Sequence, residues 1–257
     1  MSHQSKGDLP RKYLSHISSY NMTYLHLRHP LTVAWWAAAF PGFGHLLIGR
    51  YLKGYFLLIW EVVINWFSKL NEAMVYSFTG QFDLARQVLD KRWVLLYIAV
   101  YIYSIWDSYR LTVDTNKIVK LGRYAQSPIQ SFFIGPFSVN FLDKRSPQLA
   151  IFWSVLMPGL GHLYLHLIPT GFLLLCMTIM QVVMSHFLEA FYLTMIGSFR
   201  EAVAVLDIEW TLFLPSIYGF SIYDSYVIAV EYNELFRKEQ SQYLRNEYQS
   251  DSFDMPL

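Results

Sequence analysis

Five ionisable side chains sit in otherwise apolar stretches: His45, Glu61, Asp107, His162 and Asp224. Inside an apolar segment of membrane length such a group costs up to about 3 kcal/mol, so each is a functional candidate by default. His45 lies five residues before Arg50 and Asp107 three before Arg110, which places them at similar depths. His162 and Asp224 repeat the arrangement. An Asp paired to a His, with Ser and Tyr beside it, can relay protons or hold a cation. The plainer alternative is a structural clasp, in which the carboxylate binds the imidazole or the N–H groups of a nearby chain break. Glu61 is the most deeply placed acid and is expected to need a partner or a polar cavity.

Other chemistry is poorly supplied. His162 and His166 have i,i+4 metal-ligand spacing, but no third ligand is evident, and no metal is expected. Nucleophile motifs, phosphate-binding glycine loops and zincin motifs are lacking, so neither an enzyme nor a cofactor is expected. The single cysteine, Cys176, lies in an apolar run and reads as a small buried hydrophobe.

The elements that must position these groups form a duplication. Sliding the chain by 117 residues aligns 28–116 with 145–233 without a gap, and 30 of 89 positions are identical. His45 falls on His162 and Asp107 on Asp224, whereas Glu61 falls on Thr178. The most conspicuous shared stretch is Pro41-Gly42-Phe43-Gly44-His45-Leu46, repeated as Pro158-Gly159-Leu160-Gly161-His162-Leu163. Proline disfavours helical geometry in the preceding residue, and the glycines allow a tight reversal. Gly44 and Gly161 are expected to need positive φ or close backbone approach. Phe43 and Leu160 are expected to be interchangeable.

Composition points to a membrane. Apolar residues make up 54% of the chain and charged ones 15%. Aromatics reach 18%, which suits membrane interfaces. The net charge of +1 gives no reason to expect nucleic acid. The first 30 residues hold no apolar core, so no signal peptide is expected. Runs at 51–70, 93–113, 169–188 and 209–230 are long enough to cross a bilayer. The first is expected to continue as one helix to about Phe78. The ten apolar residues before each Pro-Gly break span only about 15 Å as helix, half a bilayer. A half-helix that turns back is tolerated in lipid where protein or water satisfies its freed backbone groups. Residues 82–90 and their counterparts read as the return half of an outer helical hairpin.

Charge placement selects the topology. If the broken segments re-enter, the copies are parallel and 15 Lys and Arg lie inside against 5 outside. If they cross, the copies are inverted and the count becomes 11 against 9. The positive-inside rule favours the parallel arrangement.

The stretch from Pro41 through Gly44, His45, Gly49, Arg50 and Gly54, followed by Asp107, resembles the two-transmembrane (TM-two) domain family. In the second copy Gly161, His162, Gly171 and Asp224 fill the same places. The resemblance implies a glycine-histidine turn followed by two helices, the second carrying the aspartate. The second copy departs from it, with His166 and Leu167 where the family has Gly-Arg. The hairpin of residues 71–91 is an insertion.

The expectation is therefore an all-α integral membrane protein of two parallel internal repeats. Each holds a re-entrant Pro-Gly-x-Gly-His hairpin, two crossing helices and an outer helical hairpin. Residues 1–27 form a cytosolic segment, loose or interfacial, 28–116 the first repeat, 117–144 a cytosolic or interfacial linker, 145–233 the second repeat and 234–257 a cytosolic tail. The short apolar patch at 132–137 is expected in the headgroup region. The expected location is a bacterial plasma membrane with both termini cytoplasmic. The expected role is a non-enzymatic membrane scaffold or accessory subunit, with the lipid bilayer and a membrane protein as partners. The alternative is a transporter or channel for a small solute, ion or proton, with its path between the repeats.

Overall fold

The computed structural model describes residues 15–124, 129–136 and 138–248. It is mostly helical. The chain opens with strands β1 (Ser15–Ile17) and β2 (Met22–Tyr24). Then come α1 (Pro30–Ala39), α2 (Phe43–Leu47), α3 (Tyr51–Ser68), α4 (Leu70–Phe78), α5 (Phe82–Val88) and α6 (Lys91–Tyr124). Strands β3 (Phe132–Ile134) and β4 (Val139–Phe141) lead to α7 (Pro147–Leu156), α8 (Leu160–Tyr164) and α9 (Ile168–Met184). The second series ends with α10 (Phe187–Met195), α11 (Phe199–Val205), α12 (Ile208–Thr211) and α13 (Phe213–Tyr248).

The two series correspond helix by helix, except that the counterpart of α6 is split into α12 and α13. Pro30 and Pro147 open α1 and α7, where a missing N–H costs nothing. Phe40 and Met157, each before a proline, are extended with φ near −160°. Every described residue with positive φ has its counterpart 117 positions away. The φ values are 103° and 100° at Gly42 and Gly159, 71° and 62° at Gly49 and His166. They are 57° and 55° at Lys69 and His186, and 78° and 85° at Gly80 and Gly197. The expected continuous helix from 51 to about 78 is therefore two helices, broken where Lys69 turns left-handed. The return of each outer hairpin is pinned to that break: Asp90 N–H donates to the Ser68 carbonyl (3.1 Å), and Asp207 N–H to that of Ser185 (3.2 Å).

Packing joins the copies. Helix α1 lies along α6 as α7 lies along α13. One core draws Phe43, Leu58 and Val62 together with Leu174, Ile217 and Phe220. At its centre Phe43 stacks on Phe220 with ring centroids 3.9 Å apart. Phe43 is thus fully buried between the copies, while Leu160 is only partly buried, so the two positions differ in their packing.

The second core lies under the N-terminal hairpin. Strands β1 and β2 pair antiparallel, Ser15 opposite Tyr24 and Ile17 opposite Met22. Ile17 and Met22 pack against Leu142, Leu165, Tyr232 and Leu235. Tyr232 Oη donates to the Met22 carbonyl (2.8 Å), and Asn140 Nδ2 to that of Ser18 (3.0 Å). Residues 15–24 are therefore built into the fold rather than loose, while 1–14 lie outside the described residues. The apolar patch at 132–134 is a strand paired with β4, Phe132 opposite Phe141; Phe137 lies outside the described residues. On the tail, Leu235 is buried against this core and Leu244 is exposed. Partial burial opposes the charge on Lys238, but hydrogen bonds to Glu234 and Tyr24 raise its pKa above the ordinary lysine value.

No single helix is long and apolar enough by itself to cross a membrane, among the described residues. Two bent pairs reach that length and composition: Ile168–Met184 with Phe187–Met195, bent by 60°, and Phe199–Val205 with Ile208–Arg245, bent by 89°. The first copy falls short because Lys53 and Glu61 interrupt α3, and Trp and Tyr take many apolar positions of α3 and α6.

Candidate functional site: two buried histidine–aspartate pairs

The Pro-Gly break turns α2 back onto α1. A Cβ on Gly44 would lie 2.6 Å from the Val33 carbonyl oxygen and 2.9 Å from Ala37 Cβ. One on Gly161 would lie 2.5 Å from the Ala150 carbonyl oxygen and would also strike Ser154. Of the two expectations for these glycines, close approach is the one realised. The positive φ falls instead on Gly42 and Gly159, which follow Pro41 and Pro158. A Cβ on Gly42 would sit 2.5 Å from the Gly54 carbonyl oxygen.

This reversal carries His45 and His162 inward. His45 Nε2–H donates to Asp107 Oδ2 at 3.1 Å, and His162 Nε2–H donates to Asp224 Oδ2 at 3.0 Å. An ionised carboxylate only accepts, which sets the proton on Nε2 in both rings. Both imidazoles are fully buried, and Nδ1 of each has no partner. The structure thus brings together four of the five ionisable residues singled out in the sequence, as two separate pairs.

The surroundings of the pairs differ. Asp107 also accepts from Lys53 Nζ (2.7 Å) and Arg110 Nη2 (2.7 Å). The outer parts of both cations reach solvent, and Arg110 lies over the Trp106 ring. At the matching positions of the second copy stand Thr170 and Val227. Thr170 shares a hydrogen bond with Tyr55 Oη (2.7 Å), and Asp224 Oδ1 is buried without a partner.

Backbone groups freed by the break are also satisfied differently. Tyr101 Oη donates to the Ala38 carbonyl (2.7 Å) in the first copy. In the second, Gly159 N–H donates to Ser221 Oγ (3.2 Å), and Ser154 Oγ–H to Ser225 Oγ (2.9 Å). Buried polar groups without such partners cost about 1–3 kcal/mol each.

Glu61 stands apart from both pairs. Its Oε1 accepts from Tyr97 Oη (3.2 Å) and Asn65 Nδ2 (3.4 Å), and its Oε2 is buried without a partner. Asn65 continues to Asn71 Oδ1 (3.2 Å), and Asn71 Nδ2 donates to the Glu209 carbonyl (2.9 Å). Glu209 Oε2 in turn accepts from Glu72 N–H (2.8 Å) in the first turn of α4. A carboxylate is favourable there because the first-turn N–H groups lack helical partners. Glu61 is therefore one end of a polar chain joining the two copies.

Spacing and self-comparison did not single out Asn65, Asn71 or Glu209. Their counterparts Val182, Leu188 and Arg92 are unlike them, so a comparison between copies passes over them. Asn116 and Asn233 were not singled out either, although they are identical at the last aligned position. Each clamps a backbone 88 residues earlier. Arg28 N–H donates to Asn116 Oδ1 (3.0 Å) and Asn116 Nδ2 to the Arg28 carbonyl (2.8 Å). The Arg145 and Asn233 bonds are both 2.7 Å.

His166 binds the Ser19 carbonyl through Nε2 (3.1 Å), away from the partner of His162, so the i,i+4 pair does not converge. Cys176, expected to be buried, is exposed on α9 beside an apolar groove formed with Val62, Trp66 and Met180. No family model, no curated protein and no solved structure matches the chain.

Proposed function

We propose that the protein is a non-enzymatic multi-pass membrane scaffold or accessory subunit, built from two parallel repeats that resemble the TM-two family. Each repeat contributes a re-entrant α-helical break and two crossings, with both chain ends on the cytoplasmic side. The distribution of polarity supports membrane embedding. Leu52, Phe56, Leu95, Ile102 and Val183 face outward, whereas Ser104, Asp107, Ser154, Gln181, Ser221 and Ser225 are buried. In water that arrangement would expose a large apolar surface; in lipid it costs little.

The observation that carries the scaffold reading is the enclosure of each His–Asp pair within its own repeat. A solute path running through the pairs would need both on one connected cavity, and no described cavity is lined by members of both; the cavity that polar groups of both repeats do share, among them Arg28, Thr112, Asn116, Glu231 and Tyr232, contains neither pair. One feature favours the alternative, a transporter or channel with its path between the repeats. Glu61 Oε2 and Asp224 Oδ1 are buried without partners, as working proton or ion ligands often are. The test is affinity purification of the tagged chain from its native membrane. A scaffold copurifies with one membrane protein in fixed stoichiometry. A chain that is recovered alone, and that passes protons or ions in liposomes, is a transporter.

A further inference from the structure

A basic cleft opens where the linker meets the root of the tail. It has a volume of about 340 Å³ and is lined by Lys144, Asn233, Phe236, Arg237 and Gln240. Its shape follows from the clamp just described. Asn233 holds the backbone of Arg145 through two bonds of 2.7 Å, which fixes Lys144 against α13. Arg237 lies one turn beyond Asn233 on the same helix, and its Nε–H donates to the Asn233 carbonyl (3.4 Å). The two cations therefore flank one opening.

Neither is neutralised. Among the described residues Lys144 and Arg237 form no salt bridge, whereas neighbouring charges are engaged. Glu234 pairs with Lys238, and the Arg145 guanidinium lies over the rings of Phe141 and Tyr164. Asp143 accepts from the Lys144 backbone N–H through Oδ1 (2.7 Å). Around the first repeat the matching positions hold Leu27, Asn116, Val119, Lys120 and Arg123, and Val119 is buried. Arg28, the counterpart of Arg145, is tied there to Glu231 at 2.9 Å. The cleft thus lies where the second repeat joins the linker and the tail, with Lys144 in place of Leu27 and the partly buried Phe236 in place of Val119.

Beside it, α7 presents Leu149, Phe152 and Leu156 as one exposed apolar stripe that starts within a turn of Arg145. Two free cations, the Gln240 amide and an adjoining apolar stripe suit a phosphate attached to a hydrocarbon tail. We propose that this cleft binds the phosphate headgroup of an anionic phospholipid of the inner leaflet, with the acyl chain along α7. The proposal rests on the membrane reading above.

The test uses the full chain in nanodiscs of neutral phosphatidylcholine, with or without phosphatidylglycerol. Native mass spectrometry after release counts retained lipids. Wild type is expected to retain phosphatidylglycerol selectively. Lys144→Gln with Arg237→Gln should weaken retention about tenfold or more, because each cation near the surface contributes independently. Lys117→Gln with Lys120→Gln removes equal charge from the linker just after the first repeat and should leave retention nearly unchanged. Equal loss in both double variants, or no lipid preference in wild type, overturns the proposal. Inorganic phosphate titrated into lipid-free detergent samples separates the sources: phosphate that binds as tightly as the lipid overturns the lipid assignment. A protein that does not float with liposomes at all refutes the membrane reading itself. A floating protein without lipid preference refutes only the cleft assignment.

Discussion

His45–Asp107 and His162–Asp224 have the same separation in sequence, the same atoms in contact and distances within 0.1 Å of each other. Their electrostatic settings nonetheless differ. Asp107 is ringed by the histidine, a lysine and an arginine, whereas among the described residues Asp224 pairs with the histidine alone. What survives this divergence is the contact between the turn and the return helix. The cations are an addition to the first copy. A group whose purpose was to present a particular charge would not tolerate so different a field, but a group that holds two elements together would.

The turns give the harshest test of that equivalence. Gly44→Val and Gly161→Val both drive a branched side chain into backbone of the preceding helix. Each is expected to cost about 3 kcal/mol or more, read as loss of folded protein in detergent. Their neighbours should not behave alike. Phe43→Leu removes a ring stacked between the repeats and should lower stability by roughly 1–2 kcal/mol. Leu160→Val, at the partly buried counterpart, should cost clearly less. Equal costs would mean that the repeats do not meet at Phe43.

Removing the carboxylates comes next. Asp107→Ala and Asp224→Ala each break a hydrogen bond to a buried imidazole, at a cost of about 1–3 kcal/mol. That is enough to lower abundance several-fold. His45→Ala combined with Asp107→Ala should fall short of the sum of the single effects, since the pair acts as a unit.

Smaller effects sharpen the comparison. Lys53→Thr with Arg110→Val gives the first copy the side chains of the second. The two cations are 42% and 48% exposed, so neither is locked in the packed interior as Asp107 is. The double change is expected to cost about 1 kcal/mol and less than Asp107→Ala. The smallest difference concerns the left-handed stop after each turn. His166→Gly relieves a strained φ but loses the bond to Ser19, and should stay within about 1 kcal/mol of wild type. His166→Ala loses the bond and keeps the strain, so it should melt at a lower temperature than the glycine variant.

Legibility in the sequence follows this same division. Much of what both copies keep was readable from one chain: the Pro-Gly break, the glycines, and the His and Asp positions. What one copy holds alone was not. The path from Glu61 through Asn65 and Asn71 to Glu209 uses residues whose counterparts, Thr178, Val182, Leu188 and Arg92, are unlike them. The break at Lys69 and His186 escaped notice because neither is a glycine or proline. The N-terminal hairpin has strands of three residues, too short for any alternation to show, and its place is set by tertiary bonds from Tyr232 and Asn140.

The most direct test of the clasp is to keep the hydrogen bond and remove the charge. Asp107→Asn and Asp224→Asn retain an acceptor oxygen for the imidazole N–H. Their abundance in the membrane and their ability to replace the wild-type gene in a deletion strain are measured together. A structural clasp predicts that Asp224→Asn matches wild type in both, and that Asp107→Asn loses at most a little abundance and still functions. Asn variants that accumulate normally yet fail to complement would contradict the account, because the titrating charge would then be the working part.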